Sequence, residues 1–377
     1  MVLLISFLFL IGLLLKYSCG RLRKSIFTAL PMFLFAALLI SCSAPPEETD
    51  PRPFIEKLES AAPVKILIVG DSIGFGTGAS SEKTSWAELM KTELKQTYGS
   101  DVLLTNLSMG GCSSICGYAR VMELDDGKTY DLAVICYGEN DAEEDFELYY
   151  ESILRALRNR YPGIEIICIQ ESSQREFTVK MRRIAEIAEH YKCPVVDTIT
   201  PFSADYDSYV KDGTHPNDAG HRIYADAVLA AVREMVIGRK IEPKDIEPAS
   251  ASVRLFDDFV WFPRESFRKD GQTFTCEVER AIVGNGLADA VGGGNGAVMI
   301  TDVFDYSGEN NIRVLNNDKE IAYREASWSF EFKQRHIPIL AADVTLDPGT
   351  LSITFENAEQ LEEFEGIGFL AAKQENF

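Results

Sequence analysis

The chain is poor in the residues that metal and nucleic-acid chemistry require. Its 377 residues include four histidines, and neither a CxxC pair nor a histidine cluster accompanies the eight cysteines. Zinc is held by closely spaced Cys and His ligands, so no metal site is expected. Basic residues are also scarce: 37 Lys and Arg stand against 58 Asp and Glu, a formal net charge of −21. Residues 1–42 hold four of the basic residues and no acidic ones, so the remainder is more acidic still. A surface of that sign repels phosphate backbones and anionic headgroups, which argues against nucleic acid as a partner and against a polybasic membrane contact. No internal repeat is evident. The first apolar run, residues 2–15, is shorter than the ~20 residues a bilayer-spanning helix needs.

The composition that remains is that of an ordinary globular chain, 46% hydrophobic and 25% charged, with length for one or two domains. The N-terminus reads as an export signal. Arg21, Arg23 and Lys24 precede an apolar stretch over Ser25–Ser41 that ends Leu39-Ile40-Ser41-Cys42. That tetrapeptide resembles a bacterial lipobox, which implies lipidation of Cys42, with residues 1–42 as signal region and the polar, Pro-rich residues 43–63 as tether. The alternative is an uncleaved anchor. Residues 1–20 are either a first membrane segment or a stretch upstream of the true start. Each route places the protein outside the cytoplasm, fixed to a membrane. Cys112, Cys116, Cys136, Cys168, Cys193 and Cys276 remain. Cys136 and Cys168 sit in apolar runs that suit buried thiols, and no disulfide is assigned.

From residue 64 to residue 238 short apolar runs alternate with helical patterns. Lys65–Val69, Val102–Leu107, Leu132–Tyr137, Ile164–Gln170 and Pro194–Ile199 read as strands buried on both faces. Ser85 with Glu88 forms a capping-box pattern, and Phe146–Arg160, Thr178–Tyr191 and Asp218–Val236 read as amphipathic helices. Alternation of this kind gives a doubly wound α/β fold, a five-stranded parallel sheet with sites at the carboxyl ends of its strands. Residues 239–252 are charged and Pro-containing, a linker composition. Beyond it, over residues 253–377, helical periodicity gives way to short aromatic and β-branched runs separated by Gly-rich turns, the pattern of a β-sandwich accessory domain. Trp261, Phe262, Tyr306 and Trp328 are its candidate sugar-platform aromatics, though core positions suit them as well.

Three stretches fall at strand ends. Gly70-Asp71-Ser72 closes the first strand and opens a Gly-rich loop, a setting for a nucleophilic hydroxyl. Asn106-Leu107-Ser108-Met109-Gly110-Gly111 follows the second strand and Gly138-Glu139-Asn140-Asp141 the third, supplying amide donors of the kind an oxyanion needs. Asp212 and His215 are three residues apart before the last helix, close enough for the carboxylate to orient the imidazole. Each stretch alone is also compatible with a turn or a cap.

Together, GDS, N-x-x-x-x-G, G-x-N-D and D-x-x-H in this order resemble the SGNH/GDSL hydrolase family over about Val64–Ile237. The resemblance implies the flavodoxin-like sheet of that family. It also implies Ser72 as nucleophile, His215 as general base with Asp212 orienting it, and an oxyanion hole from the Ser72 and Gly111 N–H groups and the Asn140 side chain. Ser108 departs from the family pattern, where glycine is frequent, and Glu139 puts an acid beside Asn140 without an evident purpose. The implied chemistry is two-step acyl transfer through an acyl-enzyme, with no metal or organic cofactor. The expected substrate is an acyl ester, acetyl foremost, on a carbohydrate or other small molecule. A lysophospholipid or other lipid ester, a sugar O-acyl transfer, and a surface binding protein with a relic hydrolase domain are the alternatives.

Overall fold

Alternating apolar and helical segments set the first half of the chain, and the computed structural model shows them closing into one parallel sheet. The structure describes residues 50–124, 127–144, 146–235, 247–249, 258–282, 297–304, 308–309, 311–325, 327–328, 335–337, 339–356 and 364–371. Residues 1–42, Cys42 among them, and most of the 239–252 linker lie outside these. The first half runs α1 (Phe54–Glu59), β1 (Val64–Gly70), α2 (Ser72–Phe75), α3 (Trp86–Tyr98), β2 (Val102–Asn106), α4 (Ser114–Met122), β3 (Leu132–Cys136), α5 (Phe146–Arg160), β4 (Glu165–Gln170), α6 (Val179–His190), β5 (Val195–Asp197), α7 (Ile199–Ser203), α8 (Tyr206–Tyr209) and α9 (Asp218–Glu234). All neighbouring strands pair in parallel, in the order β2-β1-β3-β4-β5. This is the doubly wound arrangement expected.

The three inner strands are buried nearly throughout, whereas β2 and β5 are edges, with Leu103 and Val195 exposed. Expecting both faces of every strand to be covered was therefore right only for β1, β3 and β4. One correction concerns the tether assigned to residues 43–63. Its last part is α1, whose Phe54, Ile55 and Leu58 lie in the core. Lys57 of α1 pairs with Asp131 at 2.7 Å, and Asp131 also accepts from the Lys65 amide at the head of β1. Apolar residues one turn apart and a part-buried ion pair make this segment part of the domain.

The second half continues as β6 (Asp258–Pro263), β7 (Arg268–Asp270), β8 (Thr273–Val278), β9 (Ala297–Phe304), β10 (Gly308–Glu309), β11 (Ile312–Asn316), β12 (Lys319–Arg324), β13 (Ser327–Trp328), β14 (Arg335–His336), β15 (Ile339–Val344), β16 (Gly349–Phe355) and β17 (Phe364–Ala371). One antiparallel sheet has the order β12-β11-β16-β8-β7, and a second has β14-β9-β17-β6 with β15 also on β9. Phe274, Val314 and Ile353 of the first sheet share a core with Met299, Ile367 and Phe369 of the second. That is the sandwich predicted. Of its candidate platform aromatics, Trp261 stacks on Phe259 and Phe262 meets Phe369 edge to face, while Tyr306 and the Trp328 side chain lie outside the described residues.

The two halves meet on α4. Tyr118 packs edge to face on Phe259 with ring centroids 6.2 Å apart, and the Cys116 thiol points at the Ile337 carbonyl. Ile300, Ile337 and Leu370 belong to the same apolar cluster as α4 and α5. A shared apolar face of this kind stabilises both partners. A chain shortened to residues 1–240 is thus expected to lose thermal stability and to self-associate. Thermal melts and light scattering check this, and an unchanged Tm in a monomeric fragment would show the β domain to be an independent module.

Candidate active site

The site is assembled where β1, β2, β3 and β4 end. Strand pairing sets its depth: Gly70 is the partner of Cys136, and Ile68 of Asn106. The ladder bonding continues past the strand ends, with the Asp71 amide donating to the Cys136 carbonyl at 3.1 Å and the Met109 amide to the Gly70 carbonyl at 3.0 Å. The nucleophile segment and the loop carrying Gly111 therefore leave the sheet at one level.

Ser72 is the first residue of α2. Asp71 caps this turn by accepting from the Ile73 amide at 2.8 Å. The turn packs against Asn106, whose side chain donates to the Gly74 carbonyl at 3.0 Å and accepts from the Ser108 amide at 2.9 Å. Ser108, the departure from the family pattern, lies against both Gly70 and Gly74, within 3.0 Å of where a Cβ would stand at either. Small residues on the facing turn make room for its hydroxyl.

His215 comes from the loop before α9. Its Nε2 lies 2.9 Å from Ser72 Oγ, and its Nδ1 lies 2.8 Å from Asp212 Oδ2. The other Asp212 oxygen accepts from the His215 and Thr214 amides at 2.9 and 3.2 Å. Partial burial works against ionisation of Asp212, but the amide bonds and the imidazole outweigh it and bring the pKa down to about 2. Asp212 is thus a carboxylate throughout the neutral range, and it fixes the imidazole with Nδ1–H toward itself and Nε2 toward the serine. An oriented base within hydrogen-bond reach of a hydroxyl is what activation of a serine requires. Ser72 and His215 are brought together as the sequence indicated.

The loops that carry the expected donors are shaped by glycine. Gly111 has φ 71°, a left-handed conformation that favours glycine. Gly138 has φ 145°, and a Cβ there would meet Met181 at 2.4 Å. The Asn140 amide nitrogen donates to the Cys112 carbonyl at 3.1 Å and lies 3.5 Å from Asp71 Oδ2, a long contact that a developing oxyanion can replace. Asp141 accepts from both the amide and hydroxyl of Ser114, which ties the start of α4 to the block carrying Asn140. Burial pushes Asp141 up to about 6 against the lowering effect of those bonds.

Several residues of the site were not picked out from sequence. Glu171, just past β4, accepts from the Glu139 amide at 2.8 Å, and Gln174 donates to the Glu139 carboxylate at 2.8 Å. Glu139, whose purpose sequence left open, is thereby a brace between the loops after β3 and β4. Arg175 stacks over the Tyr206 ring at 4.2 Å, and both side chains donate to the Gly213 carbonyl inside the Asp212–His215 loop. Buried His221 lies 3.2 Å from the Thr77 carbonyl and accepts from the Trp86 amide, while Asp218 accepts from the Ser80 amide and hydroxyl. These contacts fix the Gly-rich loop against α9. The position of Glu171 at a strand end was the one available signal.

Residues 68–223 match the model of the GDSL-like Lipase/Acylhydrolase family. They form a domain of that family. An arylesterase of Vibrio mimicus is 38% identical over 87 residues, 23% of this chain and 42% of the relative, so the match spans less than half of that protein. The crystal structure of a two-domain esterase (CEX) active on acetylated mannans is similar in fold, with a TM-score of 0.65 at 16% identity. The likeness covers 85% of this chain and 95% of that one. The same esterase co-crystallized with mannopentaose gives a TM-score of 0.63 at 15% identity, covering 85% and 94%. At such identity the likeness is one of fold, and it extends beyond the GDSL domain into the β domain.

If the relay is competent, Ser72 is the residue a fluorophosphonate labels, and Ser72→Ala takes up no label. Asn140→Ala is expected to fold and to react ~10²–10³-fold more slowly, the usual cost of one oxyanion donor. Intact-mass and peptide mass spectrometry read both, and labelling elsewhere would remove Ser72 from its role.

Proposed function

We propose that this protein is an exported, membrane-tethered serine esterase that removes acetyl groups from a carbohydrate. The Asp212–His215–Ser72 chain, with contacts of 2.8 and 2.9 Å inside a GDSL domain, is the observation that carries the reading. His215 takes the Ser72 proton as Oγ attacks the ester carbonyl, and the imidazolium is stabilised by the ionised Asp212. The tetrahedral oxyanion is received by the Ser72 and Gly111 amides and the Asn140 side chain. Collapse expels the alcohol, which takes its proton from His215. Water, activated by the same imidazole, then frees the acyl group.

A polar alcohol is supported by the polar neighbours of the dyad and of Asn140: Glu139, Gln174, Arg175 and Tyr206. Phe75, three residues after the nucleophile, is 63% exposed and leaves a ring face open to solvent. The fold likeness over both domains to an esterase active on acetylated mannans supports the carbohydrate part of the reading. Export and tethering rest on the lipobox-like Leu39–Cys42 and the polar residues that follow it.

The test is a substrate series. Nitrophenyl acetate is expected to be turned over far faster than long-chain esters, and acetylated oligosaccharides to release acetate. Preference for long acyl chains would assign a lipid ester instead, and transfer to a sugar acceptor in place of acetate release would assign a transferase. Phe75→Ala should raise KM on the oligosaccharide while leaving nitrophenyl acetate nearly unaffected. Cys42→Ala should lose fatty-acid incorporation and leave the membrane fraction; retention there would make residues 25–41 an uncleaved anchor.

A further inference from the structure

Behind the nucleophile lies a second pair of carboxyl groups that the acyl-transfer steps do not use. Asp71 and Glu171 are both fully buried, and their carboxyl groups bracket the end of β3 and the Glu139–Asn140 segment, near enough that a charge on Asp71 raises the pKa of Glu171. Two buried carboxyl groups can hydrogen-bond to each other only if a proton lies between them, because ionised carboxylates only accept. The oxygens of both groups also meet the catalytic segments and β3. Asp71 Oδ1 accepts from the Ile73 amide at 2.8 Å, and Asp71 Oδ2 lies 3.5 Å from the Asn140 amide nitrogen. Glu171 Oε2 accepts from the Glu139 amide at 2.8 Å, and Glu171 Oε1 from the Cys136 thiol at 3.2 Å.

We propose that Glu171 is a positioning residue for the oxyanion hole: by sharing one proton with Asp71 it locks the Ser72 turn and the Glu139–Asn140 segment into one geometry. The Glu139 amide heads the peptide next to Asn140, so holding it sets where the Asn140 side chain projects. The Ile73 amide heads the peptide after Ser72, so holding it sets where the serine amide and hydroxyl project. Without the proton the pair becomes two adjacent buried negative charges, and the two segments are pushed apart.

The surroundings favour a retained proton. Burial pushes Asp71 up to about 8 and Glu171 well above the usual carboxylate range, and Asp141 and Glu139 add negative charge nearby. The Cys136 thiol on β3 is pushed up by burial and remains a donor. From α6, Met181 meets the Glu171 amide with its sulfur, and Lys180 donates to the Gly138 and Asp141 carbonyls. From α9, the Tyr224 hydroxyl accepts from the Ser172 amide, and burial holds that phenol well above its usual range. Among these groups Lys180 is the cation, and its bonds go to main-chain oxygens.

The inference rests on the esterase reading, and its test separates the two. Glu171→Gln keeps a donor for Asp71 and an acceptor for the Glu139 amide without a titrating proton, whereas Glu171→Ala keeps neither. With nitrophenyl acetate, Glu171→Ala is expected to lose at least about tenfold in kcat with KM within about twofold, and Glu171→Gln to recover most of the loss. The wild type should lose kcat on the alkaline side as the shared proton leaves, and Glu171→Gln should not. The sign follows from linkage: the folded protein holds this proton more tightly than the unfolded chain, so its stability also falls as pH rises toward the pair's own titration. A folded Glu171→Ala enzyme with wild-type kcat overturns the proposal. So does Glu171→Gln with the wild-type alkaline loss, or one as slow as Glu171→Ala. If Glu171→Ala does not fold, the Glu171→Gln profile decides. A wild type without ester turnover would defeat the esterase reading alone, since the rate of Ser72 phosphonylation in the same variants reads the same hole.

Discussion

The site depends on the register of a parallel ladder. Pairing of Gly70 with Cys136 and of Ile68 with Asn106 brings the ends of β1, β2 and β3 to a common level, and the loop amides of Asp71 and Met109 extend the pairing beyond the strands. Serine, oxyanion glycine and asparagine come from segments far apart in sequence. Each is one short turn away from a strand that is fixed by the others. A one-residue slip of any inner strand would turn its buried side chains to the other face, and the near-complete burial of β1, β3 and β4 on both faces forbids it. Catalytic precision here derives from burial of Val, Ile and Leu several residues behind the chemistry.

Four acids at this edge differ in state because their surroundings differ. Asp212 is half exposed and accepts three hydrogen bonds, so it is a carboxylate and serves the imidazole. Asp141 is buried but spends one oxygen on the start of α4. Asp71 and Glu171 have no cation between them and are relieved by a proton instead. The acidic character of the chain therefore does not crowd the dyad with charge: its innermost acids are paired with each other or with backbone amides.

Much of this could be read from sequence, and what could not has a physical reason. The strand ends, the serine, the Asp212–His215 spacing and the helices α5, α6 and α9 carry strong local signals, because each buried run is bounded by a turn or cap. Helix α4 carries none. Seven of the nine residues in SICGYARVM are buried, so no polar face reveals a helical period, and Gly117 is present because a Cβ would stand 2.5 Å from the Tyr137 ring. Strand β17 is obscured in the sequence for a similar cause: Gly366 and Gly368 lie beneath the rings of Trp261 and Phe259, and glycine weakens a strand pattern. Glu171 reads as an ordinary polar residue at the end of β4. Its burial is created by α6 and α9 closing over it, which no local pattern announces.

Helix α4 also changes what the β domain means. The linker composition suggested a module joined only by a tether. Yet α4 follows directly from the Gly111–Cys112 turn, its first residue is held by Asp141, and its far side receives Phe259 and the Ile337 carbonyl. Described residues of the linker also dock on the first domain, with the Ala249 amide donating to Glu151 and the Glu247 carbonyl 2.6 Å from the His190 ring. One helix thus has the oxyanion loop at its start and the interdomain contact on its flank. Whatever the β domain does for substrate, its apolar contact with α4 bears on the placement of Gly111, so its contribution includes the geometry of the catalytic hole as well as anything it binds.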